Sequence, residues 1–158
     1  MVDMSLFEDR EIEFLTELVF HRVDFMIVGL SAAALQGAPV VTQDIDLWFK
    51  DLSDIRIQKA LEKVGGTYIP PIHQNPPLLG GPSMGLFDVV MHMHGLGDFE
   101  NEKENIVCIR VGGAKLPVLK LERIIKSKKA ADRLKDKLVL EVLEDTLRGI
   151  RDHERKRN

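Results

Sequence analysis

The chain has 158 residues, 44% hydrophobic and 30% charged, with a net charge of -3 at pH 7. A chain of this length buries well over half of its unfolded surface, so a single domain over residues 1–158 is expected, with no overall electrostatic attraction for nucleic acid. No apolar run approaches the roughly 20 residues of a membrane span, and Met1-Val2-Asp3-Met4 lacks the start of a secretory signal, which predicts a cytoplasmic protein without membrane contact.

Ser5-Leu6-Phe7-Glu8 has the spacing of a capping box, and Phe7, Ile12, Leu15, Leu18 and Val19 recur near helical spacing, predicting a first helix that ends near His21. Phe25-Met26-Ile27-Val28 is a short apolar run stopped by Gly29, which suits a buried strand. Residues 31–36 read as a short helix closed by Gly37. From Asp44 to Phe49 polar and apolar residues alternate except at Trp48. This second strand would place Asp44 and Asp46 on one face and Ile45, Leu47 and Phe49 on the other. Asp51-Leu52-Ser53 caps a helix expected over 54–64, ended by Gly65-Gly66. Pro70, Pro71, Pro76, Pro77 and Pro82, with Gly80 and Gly81, predict a long loop around Thr67-Tyr68-Ile69. Residues 86–93 and 106–111 read as strands separated by a polar loop, and Lys115-Leu116-Pro117-Val118 as a short edge strand. Cys108, the single cysteine, cannot form a disulfide within the chain; in its apolar run it reads as a small core residue. Residues 119–149 are helical in character with a break near Ala131-Asp132, and residues 151–158 are expected to fray. These elements predict an α/β fold.

Carboxylates at i and i+2 of a strand lie on one face about 7 Å apart along the backbone, from about 3.3 Å per residue. Asp44 and Asp46 can therefore converge on a metal ion, although the dipeptide spacing alone also fits a solvated strand face. Upstream, Val28-Gly29-Leu30-Ser31 joins an apolar strand to a helix start, where free backbone amides favour phosphate. Gly29 permits close backbone approach, and a structural turn capped by Ser31 is the plainer reading. His92 and His94 share a predicted strand face with Asp88. They read as polar strand residues alternating with buried Met91 and Met93, a substrate contact being the alternative. Trp48 has the parity of Asp44 and Asp46 and fits either base stacking or core packing. The basic cluster from Arg148 to Arg157 fits RNA binding or a solvated terminus.

The order of strand, Gly/Ser turn, short helix and then Thr42-Gln43-Asp44-Ile45-Asp46 resembles the core of the DNA polymerase β-like nucleotidyltransferase superfamily. Within it, the sequence is similar to small AbiEii-type toxin nucleotidyltransferases, over about residues 25–143. The resemblance implies a small mixed β-sheet flanked by helices, palm-like, with a C-terminal helical segment over 119–149. It implies a magnesium-dependent nucleotidyltransferase, with one or two ions held by the catalytic Asp44, Asp46 and Asp88. A nucleoside triphosphate donor would be bound by Gly29, Ser31, Thr42 and Lys128, with Arg133 and Asp136 organising or lining the site. The acceptor would be RNA, a protein or a small hydroxylated molecule, and the toxin relatives imply an antitoxin partner. One departure is Leu30, which stands where the family often has a second Gly or a Ser. It leaves a catalytically inactive nucleotide-binding or protein-interaction module of the same fold as the alternative.

Overall fold

The computed structural model describes residues 7–158, and the expected capping role of Ser5 lies outside them. Helix α1 (Asp9–Phe20) starts after Glu8, whose amide donates to the Glu11 carboxylate at 2.7 Å. Phe14, Leu15 and Leu18 form its buried stripe. Strand β1 (Phe25–Val28) buries all four side chains and passes without a loop into helix α2 (Gly29–Leu35). Strand β2 (Ile45–Phe49) buries every residue but Asp46, which is half-buried. Helix α3 (Ile55–Lys63) follows, then short strands β3 (Thr67–Ile69) and β4 (Leu78–Gly80), and strand β5 (Phe87–Val90). Helix α4 (Phe99–Glu102), the hairpin of β6 (Ile106–Val111) and β7 (Ala114–Leu119), and helices α5 (Leu121–Ala131) and α6 (Leu134–Arg157) complete the order.

A five-stranded mixed sheet has the order β5-β2-β1-β7-β6. β2 runs antiparallel to β1 and parallel to β5, and β7 runs parallel to β1. Helix α1 packs on β7 and α3, and Phe14 meets Phe87 edge-on with ring centroids 5.1 Å apart. Phe87 has the opposite parity to Asp88, so α1 covers the face turned away from the carboxylates. Ile27, Leu47, Leu116 and Val118 are fully buried in the sheet, and each such side chain contributes about 1.5–3 kcal/mol by leaving water. The predicted α/β fold, a small mixed sheet flanked by helices, is thus observed.

Several local expectations change. The predicted loop over 67–83 contains the antiparallel β3–β4 hairpin, because Pro70, Pro71, Pro76 and Pro77 all fall in its connection and spare the ladder. The 115–118 segment lies inside the sheet between β1 and β6. Pro117 suggested an edge, but the edge strand on that side is β6. Cys108 is exposed, since β6 has one solvated face. The strand expected over 86–93 stops at Val90, Met91 is 60% exposed, and His92 and His94 lie beyond the ladder. α3 is capped by Asp54, whose carboxylate accepts from the Arg56 amide, while Asp51 holds Ser53. The polar loop before β6 carries the single turn of α4. The chain end is helical to Arg157, its surface laced by the pairs Arg151–Glu122 and Arg155–Asp152. The break between α5 and α6 falls at Asp132, which adopts a left-handed φ of 52°.

Candidate metal and nucleotide site

The register of the sheet assembles the carboxylates. Asp46 on β2 stands directly opposite Asp88 on β5, and on its other side opposite Val28, the last residue of β1. The turn at Gly29 therefore abuts Asp46. Gly29 has φ +66°, and a methyl group built on it would overlap the Asp46 Oδ2. Only glycine satisfies both demands without strain. Asp44, exposed one residue before β2, is fixed by Thr42, whose hydroxyl donates to the Asp44 carbonyl at 2.9 Å and accepts from its amide at 3.3 Å.

Ser31 is fully buried. Its hydroxyl donates to the Val28 carbonyl at 2.8 Å and accepts from the Asp46 amide at 3.2 Å. Its side chain thus braces β1 against β2 and faces inward. Leu30, in the first turn of α2, is half-buried.

Packing the acids together perturbs Asp46 and Asp88. Burial, then the charges of Asp88 and Asp44, push the Asp46 carboxyl up to about 6, with Lys128 and Lys135 partly opposing. Asp88 is also raised, by burial and then by Asp44. An all-oxygen, mutually repelling set of this kind is suited to a hard divalent cation such as Mg2+. Among the described residues no three acidic, histidine or cysteine side chains are converged as metal ligands.

A cleft of about 300 Å³ opens over Asp46, lined among others by Gly29, His92, His94, Lys128 and Arg133. Its lining also carries an ion cluster centred on one buried carboxylate. Asp136 is fully buried, accepting from Arg133 Nε at 2.7 Å and from Lys128 Nζ at 3.2 Å. The Arg133 hydrogen bond, followed by that of Lys128, holds the Asp136 carboxyl far below the usual carboxylate range. Lys128 is thereby steered to the edge of the cleft. His92 and His94, their rings 5.0 Å apart, enter through the turn after β5. Gly95, with φ +71°, packs so tightly on α5 that an added methyl would overlap Ala130 Cβ.

Two contributors escaped the sequence reading. Ser127 lines the cleft beside Lys128. Gln36 at the end of α2 donates through Nε2 to the Leu119 carbonyl at 2.8 Å and accepts through Oε1 from the Leu121 amide at 2.9 Å. It caps the start of α5. Nothing in local spacing marks a residue that acts across 83 and 85 positions of sequence.

Gly29→Ala tests the cradle. The left-handed φ alone costs about 1–2 kcal/mol, and the methyl displaces the Asp46 carboxylate. We expect a lower denaturation midpoint and weaker binding of ATP with magnesium in calorimetry. Unchanged nucleotide affinity would remove Gly29 from the site.

No family model matches the chain, and no curated protein matches it in sequence. Solved structures do resemble it. The complex of ANT(2'')-Ia with adenylyl-2''-tobramycin is 16% identical with a TM-score of 0.59, over 86% of each chain. The nucleotidyltransferase TM1012 of Thermotoga maritima is 18% identical with a TM-score of 0.61, over 82% of this chain and 87% of that one. An antigenic nucleotidyltransferase-like protein of Paracoccidioides brasiliensis is 15% identical with a TM-score of 0.56, over 87% and 74%. The fold is that of nucleotidyltransferases, and identities this low establish the fold alone.

Proposed function

We propose that the chain is a magnesium-dependent nucleotidyltransferase that moves a nucleoside monophosphate from a nucleoside triphosphate to a hydroxyl acceptor. The observation that carries this reading is the Asp46–Asp88 rung set against the Gly29 turn, within a fold shared with nucleotidyltransferases. Asp44, Asp46 and Asp88 would hold the metal, which, when bound, polarises the phosphate and neutralises charge on the leaving pyrophosphate. Gly29 lets the phosphates approach the backbone, and Lys128 offers its ammonium to them from the cleft edge. Thr42 and Ser31 fix the backbone of Asp44 and Asp46. A carboxylate oxygen of Asp88 takes the proton of the acceptor hydroxyl. The acceptor oxygen then bonds to the α-phosphorus as the bond to the pyrophosphate oxygen breaks. Catalysis is mainly positioning and charge neutralisation.

No helix of the described residues is long and apolar enough to cross a membrane. A cytoplasmic site of action, and a toxin-like role with an antitoxin partner, follow from the sequence resemblance to AbiEii-type proteins and form the finer part of the proposal. One observation favours the alternative of a nucleotide-binding module without turnover. The Ser31 hydroxyl is turned inward and Leu30 occupies the first turn of α2, which leaves the phosphate turn without a hydroxyl donor. Incubation with each labelled nucleoside triphosphate, magnesium and a cell extract decides between them. Label on an acceptor with pyrophosphate release is expected. Magnesium-dependent nucleotide binding without release establishes the binding module instead.

A further inference from the structure

Helix α5 lines the cleft over Asp46 with Ile124, Ser127, Lys128 and Ala131, whose spacing by three and four defines one helical face. The same helix packs on α2, which begins at Gly29. Ser127 is only 7% exposed and belongs to the buried set of α5 with Leu121, Ile124 and Ile125. Stability alone would favour alanine there, because it is the better helix former and brings no polar group into a buried position. A hydroxyl inside a helix commonly donates to the carbonyl four residues back, as those of Thr16 and Thr146 do. The Ser127 hydroxyl makes no such bond, nor any other among the described residues. It is also not one of the side-chain atoms enclosed without a partner, so it opens on the cleft.

The turn opposite lacks such a donor. Gly29 has no side chain, Leu30 is apolar, and the Ser31 hydroxyl is occupied between the Val28 carbonyl and the Asp46 amide. Lys128 and Arg133 both donate to Asp136. Among the described residues that line the cleft, Ser127 alone carries a hydroxyl, and it is followed directly by Lys128. A polyanion in this cleft therefore meets a free hydroxyl donor and an ammonium group from consecutive residues.

We propose that Ser127 donates a hydrogen bond to a non-bridging oxygen of the nucleotide's triphosphate, supplying from α5 the hydroxyl that the Gly29 turn does not offer. The assignment rests on the nucleotidyl-transfer reading and adds to it a phosphate-binding residue. Two substitutions separate the hydroxyl from the space it fills. Ser127→Ala deletes the donor, whereas Ser127→Cys keeps nearly the same volume with only a weak donor. In calorimetry with magnesium, both variants should bind ATP about tenfold more weakly than wild type, as expected for the loss of a hydrogen bond to a charged group. Inorganic tripolyphosphate, competing with ATP, should weaken by the same factor. The denaturation midpoint of Ser127→Ala should be unchanged or higher, because no hydrogen bond within the chain is lost and alanine favours the helix. Wild-type ATP affinity in Ser127→Ala overturns the contact while leaving the nucleotidyl-transfer reading in place. An affinity lost in Ser127→Ala but kept in Ser127→Cys also overturns it, and marks Ser127 as a packing residue. Weakened ATP binding with unaltered tripolyphosphate binding overturns it as well, by placing the hydroxyl on the nucleoside. Absence of magnesium-dependent ATP binding by the wild-type protein overturns the nucleotidyl-transfer reading itself.

Discussion

Asp46→Asn should lower nucleotidyl transfer at least about a thousandfold, because charge neutralisation in a transition state of this kind supplies roughly 4 kcal/mol or more. The same substitution should make the protein more stable at neutral pH. Burial, reinforced by Asp88 and Asp44, lifts the Asp46 carboxyl from 3.8 to about 6. A folded-state value above the unfolded one means that folding penalises the ionised form. The penalty is absent below 3.8, grows as pH rises toward about 6 and is complete above it. At pH 7 the asparagine variant should therefore gain about 1–3 kcal/mol, and near about pH 3 the gain should vanish. Denaturant unfolding at the two pH values and pyrophosphate release measure both effects. A loss of stability at pH 7 would contradict the electrostatic account, and retained transfer would contradict the catalytic one.

Asp136→Asn acts in the opposite direction. The buried carboxylate joins Lys128 of α5 to Arg133 at the start of α6, and its loss leaves the lysine short of a counterion; breaking such a cluster costs about 3 kcal/mol. The linkage sign is reversed as well. Because Arg133 and Lys128 depress the Asp136 carboxyl, its contribution is fully present above the unfolded value of 3.8 and is lost as pH falls below it toward the folded value. The gap between wild type and variant should be widest at pH 7 and shrink in acid. With Lys128 released from its tether, the KM for ATP should also rise. An unfolding difference independent of pH would locate the loss in packing and not in charge.

Much of this was legible in the chain. The apolar run at 25–28 gave a buried strand, and the 44–49 alternation placed Asp46 off the buried face. The break expected near Ala131-Asp132 falls at Asp132. Each of these signals is local. What the chain hid depends on partners far away in sequence. The Asp46–Asp88 register needs β5 to align with β2, and Pro117 misled because its tolerance depends on which strand lies beside it. The 67–83 segment was misread since its prolines mark only the connection of a hairpin. Ser31 was readable as a turn residue, but only the fold reveals that its hydroxyl is spent between Val28 and Asp46. His92 and His94 reached the cleft through a turn held on Ala130, and not by the strand parity that first grouped them with Asp88.

The two hydrogen bonds of Gln36 have a mechanical meaning. They weld the end of α2 to the start of α5, so the Gly29 turn and Lys128 belong to one stiff frame. The opposite jaw of the cleft is the histidine arm after β5, which meets that frame where Gly95 packs on Ala130. A bulkier residue at position 95 would wedge this jaw ajar. Faster backbone hydrogen exchange over 92–97 than over 119–124 in the free protein, slowed when ATP and magnesium are added, is the expected signature.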